Sequence, residues 1–335
     1  MKKSIVITSI FQPTDAVKSF AALDGFQVIV IGDKKTPQDW HHENVQFYSI
    51  HAQDKMEFEL VNELPYNHYC RKMLGYLKAI ENGADYIVDT DDDNLPKANW
   101  NFPGFENNFC CITDNKGFVN IYQLFTDKKI WPRGLPLHLI SKQFDLEKQL
   151  ENADIKVGIW QGLADEDPDV DAIYRLTDDT PCYFNEREPV VLKHGTLSPF
   201  NSQNTMIRKE LFPLLYLPSY VTFRFTDILR SLVAQPIMWM YDYHLGFTNA
   251  TVVQKRNPHD YMKDFISEIP MYEQGEKVIS LVSKAIAASE TIEVNLFNAY
   301  KSLLQESIVS EKELITLEAW LKDVKIATHF SLPLK

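Results

Sequence analysis

The chain has 335 residues, of which 45% are hydrophobic and 24% charged, a globular composition that excludes a disordered chain and suits one sizeable α/β domain with or without an appendage. Its net charge of −12 repels phosphate backbones and anionic bilayers, so nucleic acid is excluded as a partner. Cys70, Cys110, Cys111 and Cys182 lack CxxC spacing, and no run reaches about 18 uninterrupted apolar residues, so buried thiols, no transmembrane segment and a cytoplasmic location are expected.

Strand and helix signals alternate from the start. Residues 5–10 are a β-branched run that meets Gln12-Pro13 without a small-residue cleavage site, so a buried first strand is expected rather than a signal peptide. Residues 13–23 read as a helix with Thr14 as N-cap, residues 26–31 (FQVIVI) as a second strand ending at Gly32-Asp33, and residues 45–50 as a third. Across 66–82, Tyr69, Cys70, Met73, Tyr76, Leu77 and Ile80 keep helical spacing, and Gly83 stands where a C-cap falls. Residues 86–88 form a fourth strand that runs straight into Asp89-Thr90-Asp91-Asp92-Asp93. This order predicts an α/β fold with a mainly parallel sheet and ligands beyond the carboxyl ends of its strands. After Asn94 short strands and loops are expected, with helices over 207–215 and 226–235. From 275 to about 328, residues such as Val278, Leu281 and Val282 return to helical spacing. The predicted division is a main domain, 1–270, and a helical C-terminal appendage, 275–335, open to a protein partner or a second copy.

Four aspartates within five residues repel one another unless a cation neutralises them. Carboxylate oxygens suit Mg²⁺ or Mn²⁺, which hold one or two carboxylates, waters and substrate phosphates. The alternative is a solvated acidic turn; the preceding apolar strand and the lack of interleaved Lys or Ser favour a site. Alone, the cluster implies metal and phosphate and no particular substrate.

The strings TSIFQPTDAV, VIVIGDKKTPQDW, YNHYCRKMLGYLKAI, DTDDDN, WPRGLPL, QGLADEDPDVDAIYRL, PFNSQNT and FRFTDILR occur in that order between the N-terminus and about residue 260. Together they resemble the STELLO-type glycosyltransferases and, more distantly, the reversibly glycosylated proteins that act as UDP-arabinopyranose mutases. The helical tail lies outside these strings. The resemblance implies a GT-A fold, Rossmann-like and binding a nucleotide-sugar, with UDP as the family's expectation for the donor. It puts Asp33 at the base or ribose, a buried carboxylate capping a turn being the alternative, with Thr8 and Ser9 lining the exit of the first strand. Asp91 and Asp93 fall in the metal-binding DxD positions, and Asp92 between them either belongs to the diphosphate site or, like Asp89, only shapes the turn.

Arg71 and Lys72 leave the apolar stripe of their helix, so both are not expected in the core; they are expected beside the donor diphosphate or the acidic cluster, an exposed basic turn being the alternative. Trp131 and Arg133, in the rigid loop WPRGLP, suit stacking on and hydrogen bonding to a sugar or phosphate, or a packed loop with a structural ion pair. Asp169 and Asp171 either orient sugar hydroxyls or cap a turn; Asn201, Gln203 and Asn204 either read hydroxyls or form a polar turn. Asp227 follows Thr226 at a helix start, where the resemblance implies the general base and where a dipole-stabilised acid is the plain alternative. His259 is a candidate third metal ligand, or else a surface histidine.

These readings combine into a metal-dependent transferase that moves a sugar from a nucleoside diphosphate to a hydroxyl of a glycan or lipid-linked saccharide acceptor, with inversion. Two rivals remain: a UDP-sugar mutase of the arabinopyranose type, and a non-catalytic scaffold of a polysaccharide synthase.

Overall fold

The computed structural model describes residues 1–113, 116–178, 180–255 and 260–330. The first apolar run is β1 (Lys3–Thr8), with Ile5, Val6 and Ile7 fully buried. Such β-branched residues on both faces suit a strand covered on both sides. Thr14 accepts the Val17 N–H at 3.2 Å and starts α1 (Asp15–Ala21). β2 (Phe26–Ile31) lies parallel to β1, and β3 (Val45–Tyr48) parallel to β2. Short helices α2 (Ile50–Gln53) and α3 (Leu60–Glu63) lead to a 3₁₀ turn at Tyr69–Arg71 and to α4 (Lys72–Glu81). Gly75 lets α4 lie flush on the sheet, since a Cβ there would stand 2.5 Å from Val6 Cγ1. β4 (Tyr86–Thr90) then returns parallel to β1. The carboxyl ends of β1, β2 and β4 therefore open on the same side of the sheet.

The expectation of a mainly parallel sheet holds for this half and fails for the rest. The chain continues through β5 (Asn94–Pro96), β6 (Glu106–Ile112), β7 (Gly117–Phe118), β8 (Leu150–Glu166), α5 (Ala172–Thr177), β9 (Val190–Leu192), β10 (Thr196–Leu197), β11 (Asn204–Arg208), α6 (Thr226–Trp239) and β12 (His244–Gln254). β11 is antiparallel to both β4 and β8, β6 is antiparallel to β8, and β12 is parallel to β8 but antiparallel to β9 and β5. Among the described residues the result is one mixed ten-stranded sheet, ordered β3-β2-β1-β4-β11-β8-β6-β9-β12-β5. Each parallel pair needs a long crossover, and between β4 and β12 the described residues hold only α5 and α6 as α-helices, so antiparallel returns take over. Residues 207–215 are not the expected helix: Ile207 pairs with Ile87 and Ile159, and Pro213 lies in a 3₁₀ run over Lys209–Leu215.

Three helices close the chain: α7 (Tyr261–Ala285), α8 (Ile292–Gln305) and α9 (Glu311–Phe330). α7 runs unbroken across 270–275 and packs on α6, while α9 packs on α3 and α4. Asp323 of α9 accepts the Glu59 and Leu60 N–H groups at 3.1 and 2.8 Å, so it caps α3. Val278, Leu303 and Trp320 join the same buried cluster as Leu74 and Leu229. No helix among the described residues is long and apolar enough to cross a membrane.

Candidate functional site

At the carboxyl ends of β1, β2 and β4 lie two adjoining cavities, of about 370 and 260 Å³. Thr8, Tyr69, Asp92 and Phe223 line both. The larger is floored by Ser9, Gly32 and Asp33; the smaller is walled by Asp91, Asp93, Arg133, Asp169, Gln203 and Asp227.

The acidic cluster forms the ridge between them, and its members are held differently. Asp89, the next-to-last residue of β4, is wholly buried and pairs with Lys72 Nζ and Arg230 Nη1, each at 2.9 Å. Lys72 Nζ also donates to Thr90 O at 2.8 Å and to Asp91 Oδ1 at 2.9 Å. Arg230, on α6, donates to Asn201 O at 3.0 Å and Ser202 Oγ at 2.9 Å. Asp92 accepts the Ser9 hydroxyl at 2.5 Å, and its carbonyl accepts the Thr14 hydroxyl at 2.5 Å, which ties the ridge to the exit of β1. Among the described residues the Asp93 carboxylate accepts from Gln254 Nε2, at 3.3 Å.

Burial raises the pKa of Asp91 to about 6, with Lys72 opposing, and burial together with Asp91 and Asp92 raises Asp93 to about 7. Asp91 keeps 38% of its side chain exposed to the cleft, so solvent softens that rise. Among the described residues the cation paired with Asp91 is Lys72, already shared with Asp89, and Asp93 has no ion-pair partner. That deficit fits a divalent cation. Among the described residues no three His, Cys, Asp or Glu side chains are grouped to hold a metal alone. Mg²⁺-type sites commonly complete their shell with water and substrate phosphate, so two aspartates suffice as protein ligands. His259 lies outside the described residues.

The second charged group is Arg133. Its Nε and Nη2 bond Asp169 at 2.8 Å each, and Nη1 and Nη2 bond Asp227 at 3.0 and 2.9 Å. Asp227 also accepts the Tyr69 hydroxyl at 3.3 Å and the Ser202 N–H at 3.2 Å. Although burial opposes ionisation, Arg133 holds the Asp227 carboxyl down to about 2. A carboxylate so stabilised is a weak base, which weighs against the acceptor-activating role expected of it in this arrangement.

Several expected site residues are elsewhere. Trp131 is buried, donates Nε1–H to Asp171 Oδ2 at 2.7 Å and packs edge-on against Tyr174, so it offers no face to a sugar. Asp171 is the N-cap of α5. Asn204 is buried and donates to Thr251 Oγ1 at 2.8 Å. Arg71 and Lys72 are both in the interior, contrary to the stripe argument, because each head group is satisfied there: Arg71 by Gln53 Oε1 at 2.6 and 2.8 Å, and Lys72 by the acidic cluster, the position expected of it. Arg71 still borders the larger cavity. Asn201 and Gln203 reach the smaller one, with Asn201 Oδ1 accepting the Gln203 N–H at 2.9 Å.

Sequence reasoning missed Arg230, the partner of Asp89, and the aromatic group of His68, Tyr69 and Phe223, whose rings lie 4.8 to 5.2 Å apart. A cation three residues after Asp227, among the apolar residues of α6, was the available signal for the first. For the second it was the pair of rings just ahead of α4, opposite the ends of β1 and β2.

The profile of the STELLO glycosyltransferases matches residues 224–334. Across 99% of its length the chain is 28% identical to the probable glycosyltransferase STELLO1 of Arabidopsis thaliana, and across 96% it is 29% identical to STELLO2 of the same plant. Over nearly its whole length the chain is similar to these two proteins. The match includes the helical tail, which the N-terminal strings leave out. It spans 45% and 44% of the length of these two relatives.

Proposed function

We propose that this chain is a metal-dependent glycosyltransferase with a GT-A-type donor side, moving a sugar from a nucleoside diphosphate, UDP by preference, to a hydroxyl of a glycan or lipid-linked acceptor. The observation that carries the reading is the under-neutralised pair Asp91 and Asp93, set on a ridge between two cavities at the strand ends. Both similar plant proteins are named probable glycosyltransferases, which supports the reaction class.

On this reading the larger cavity takes the nucleoside and the smaller one the sugar and acceptor. Asp91 and Asp93 would hold Mn²⁺ or Mg²⁺, which supplies charge neutralisation for a departing diphosphate. Lys72 keeps Asp91 in place from below, and Ser9 and Thr14 fix Asp92. Asp169, Asn201 and Gln203 present oxygens and amides suited to hydroxyls. Asp227 anchors Arg133, and inversion with Asp227 as base requires Arg133 to release it when the acceptor enters.

The test is UDP release from a panel of UDP-sugars with Mn²⁺ and oligosaccharide acceptors, followed by NMR of the sugar product. Metal-dependent turnover that is lost in Asp91→Ala/Asp93→Ala supports the reading. Ring contraction without transfer would instead make the protein a mutase, and an inert protein that binds no donor would leave a scaffold.

A further inference from the structure

The wall of the larger cavity includes a histidine that the diphosphate reading leaves unused. His68 lies on its wall, and its backbone N–H donates to Asp33 Oδ2 at 3.2 Å. Its ring Nδ1 lies 3.1 Å from the Cys70 N–H. A backbone N–H can only donate, so Nδ1 is the acceptor and a neutral ring carries its proton on Nε2. The ring is neutral near pH 7, because burial pushes its pKa down to about 4 against the pull of Asp33. Its orientation is fixed by Tyr69, stacked at 5.2 Å with 13° between planes, and by the edge of Phe223 at 5.1 Å. Phe223 and Phe11, which also line the cavity, are 50% and 45% exposed and offer apolar faces to a flat ring.

We propose that the His68 Nε2–H reads a ring carbonyl of the donor's nucleobase, selecting uracil or guanine over cytosine or adenine. The inference rests on the nucleoside-diphosphate reading above. Cytosine and adenine carry an amino group where uracil and guanine carry that carbonyl. Facing the His68 N–H, the amino group would bring two donors together and leave both unpaired. The exposed phenylalanines contribute stacking, which is insensitive to the identity of the base.

The experiment is calorimetric titration of the full chain with UDP, CDP, GDP and ADP, with Mn²⁺ present. UDP should bind about fivefold or more tighter than CDP, or GDP than ADP, the size expected of one discriminating hydrogen bond. His68→Phe keeps a ring but removes the donor, and should bring that ratio below about twofold. His68→Ser can still accept the Cys70 N–H but is too short to reach a ligand, so it should lose the preference too, without the cost of an uncapped turn. Phe223→Ala should weaken all four nucleotides alike and leave the ratio intact. A wild-type protein that does not distinguish keto from amino bases overturns the proposal. So does an undiminished preference in both His68 variants, or an equal loss across all four nucleotides, which would make His68 a ribose or phosphate contact. If none of the four binds, the donor reading itself fails, an outcome separate from any change in preference.

Discussion

Replacing Arg230 by Met tests the buried charge network directly. Asp89 is fully buried and shares its two oxygens between Lys72 and Arg230, each at 2.9 Å. The substitution keeps much of the side chain's volume but removes one partner from Asp89 and the donors to Asn201 O and Ser202 Oγ. Breaking one side of a buried ion pair typically costs about 3–5 kcal/mol, because the remaining charge has no water to turn to. With an unfolding entropy of about 2.1 cal/mol/K per residue, a chain of this size has roughly 0.7 kcal/mol/K, so Tm should fall by about 4–7 °C. The same substitution in an Asp89→Asn background should cost much less, since the charge it strands is gone. Thermal and urea unfolding of the wild type, both single variants and the double variant would measure this. Additive losses, or a loss under about 1 kcal/mol for Arg230→Met, would refute the view that Arg230 is there to neutralise Asp89.

Other consequences concern the ridge, the sheet packing and the tail. The carboxyls of Asp91 and Asp93 are raised to about 6 and 7, so the folded state holds their protons more tightly than the unfolded chain does. Their support for folding is complete only below about pH 4 and is lost as pH rises through those values, so stabilisation by Mn²⁺ in thermal-shift assays should grow between about pH 5.5 and 7.5. A Mn²⁺ shift that shrinks over this range would contradict the assignment. Gly75→Ala places a methyl 2.5 Å from Val6 Cγ1 and should destabilise by about 1–3 kcal/mol in urea unfolding. Asp323→Ala removes the acceptor for two N–H groups of α3 and should cost about 1–2 kcal/mol, with faster amide exchange at Glu59 and Leu60.

The parallel half of the fold is legible because its strands are uninterrupted apolar runs separated by amphipathic helix, a pattern local in sequence. The mixed half is not, since β8 is 17 residues long, is exposed in its first part, and where it is buried, from Val157 to Asp165, its apolar residues are interrupted by Gly158, Gln161, Gly162 and Asp165. The acidic cluster announces itself by unrelieved repulsion among neighbours. What relieves it does not: Lys72 lies 17 residues and Arg230 141 residues from Asp89. A charged residue's burial depends on such distant partners, which explains why Arg71 and Lys72 are misjudged by helical spacing. The same holds for Trp131 and Asp171, 40 residues apart, which satisfy each other and leave the site.

The double engagement of Asp89 also limits how the cleft can work. Through it the last strand of the parallel half and the helix behind the smaller cavity share a single anchoring carboxylate, and Arg230 extends that anchor to the loop carrying Asn201 and Ser202. Two rigid lobes hinging apart would have to strip a buried ion of its partners, so jaw-like opening is costly. The rim is under no such constraint, and there Phe11 and Phe223 stand half in solvent above the anchored floor.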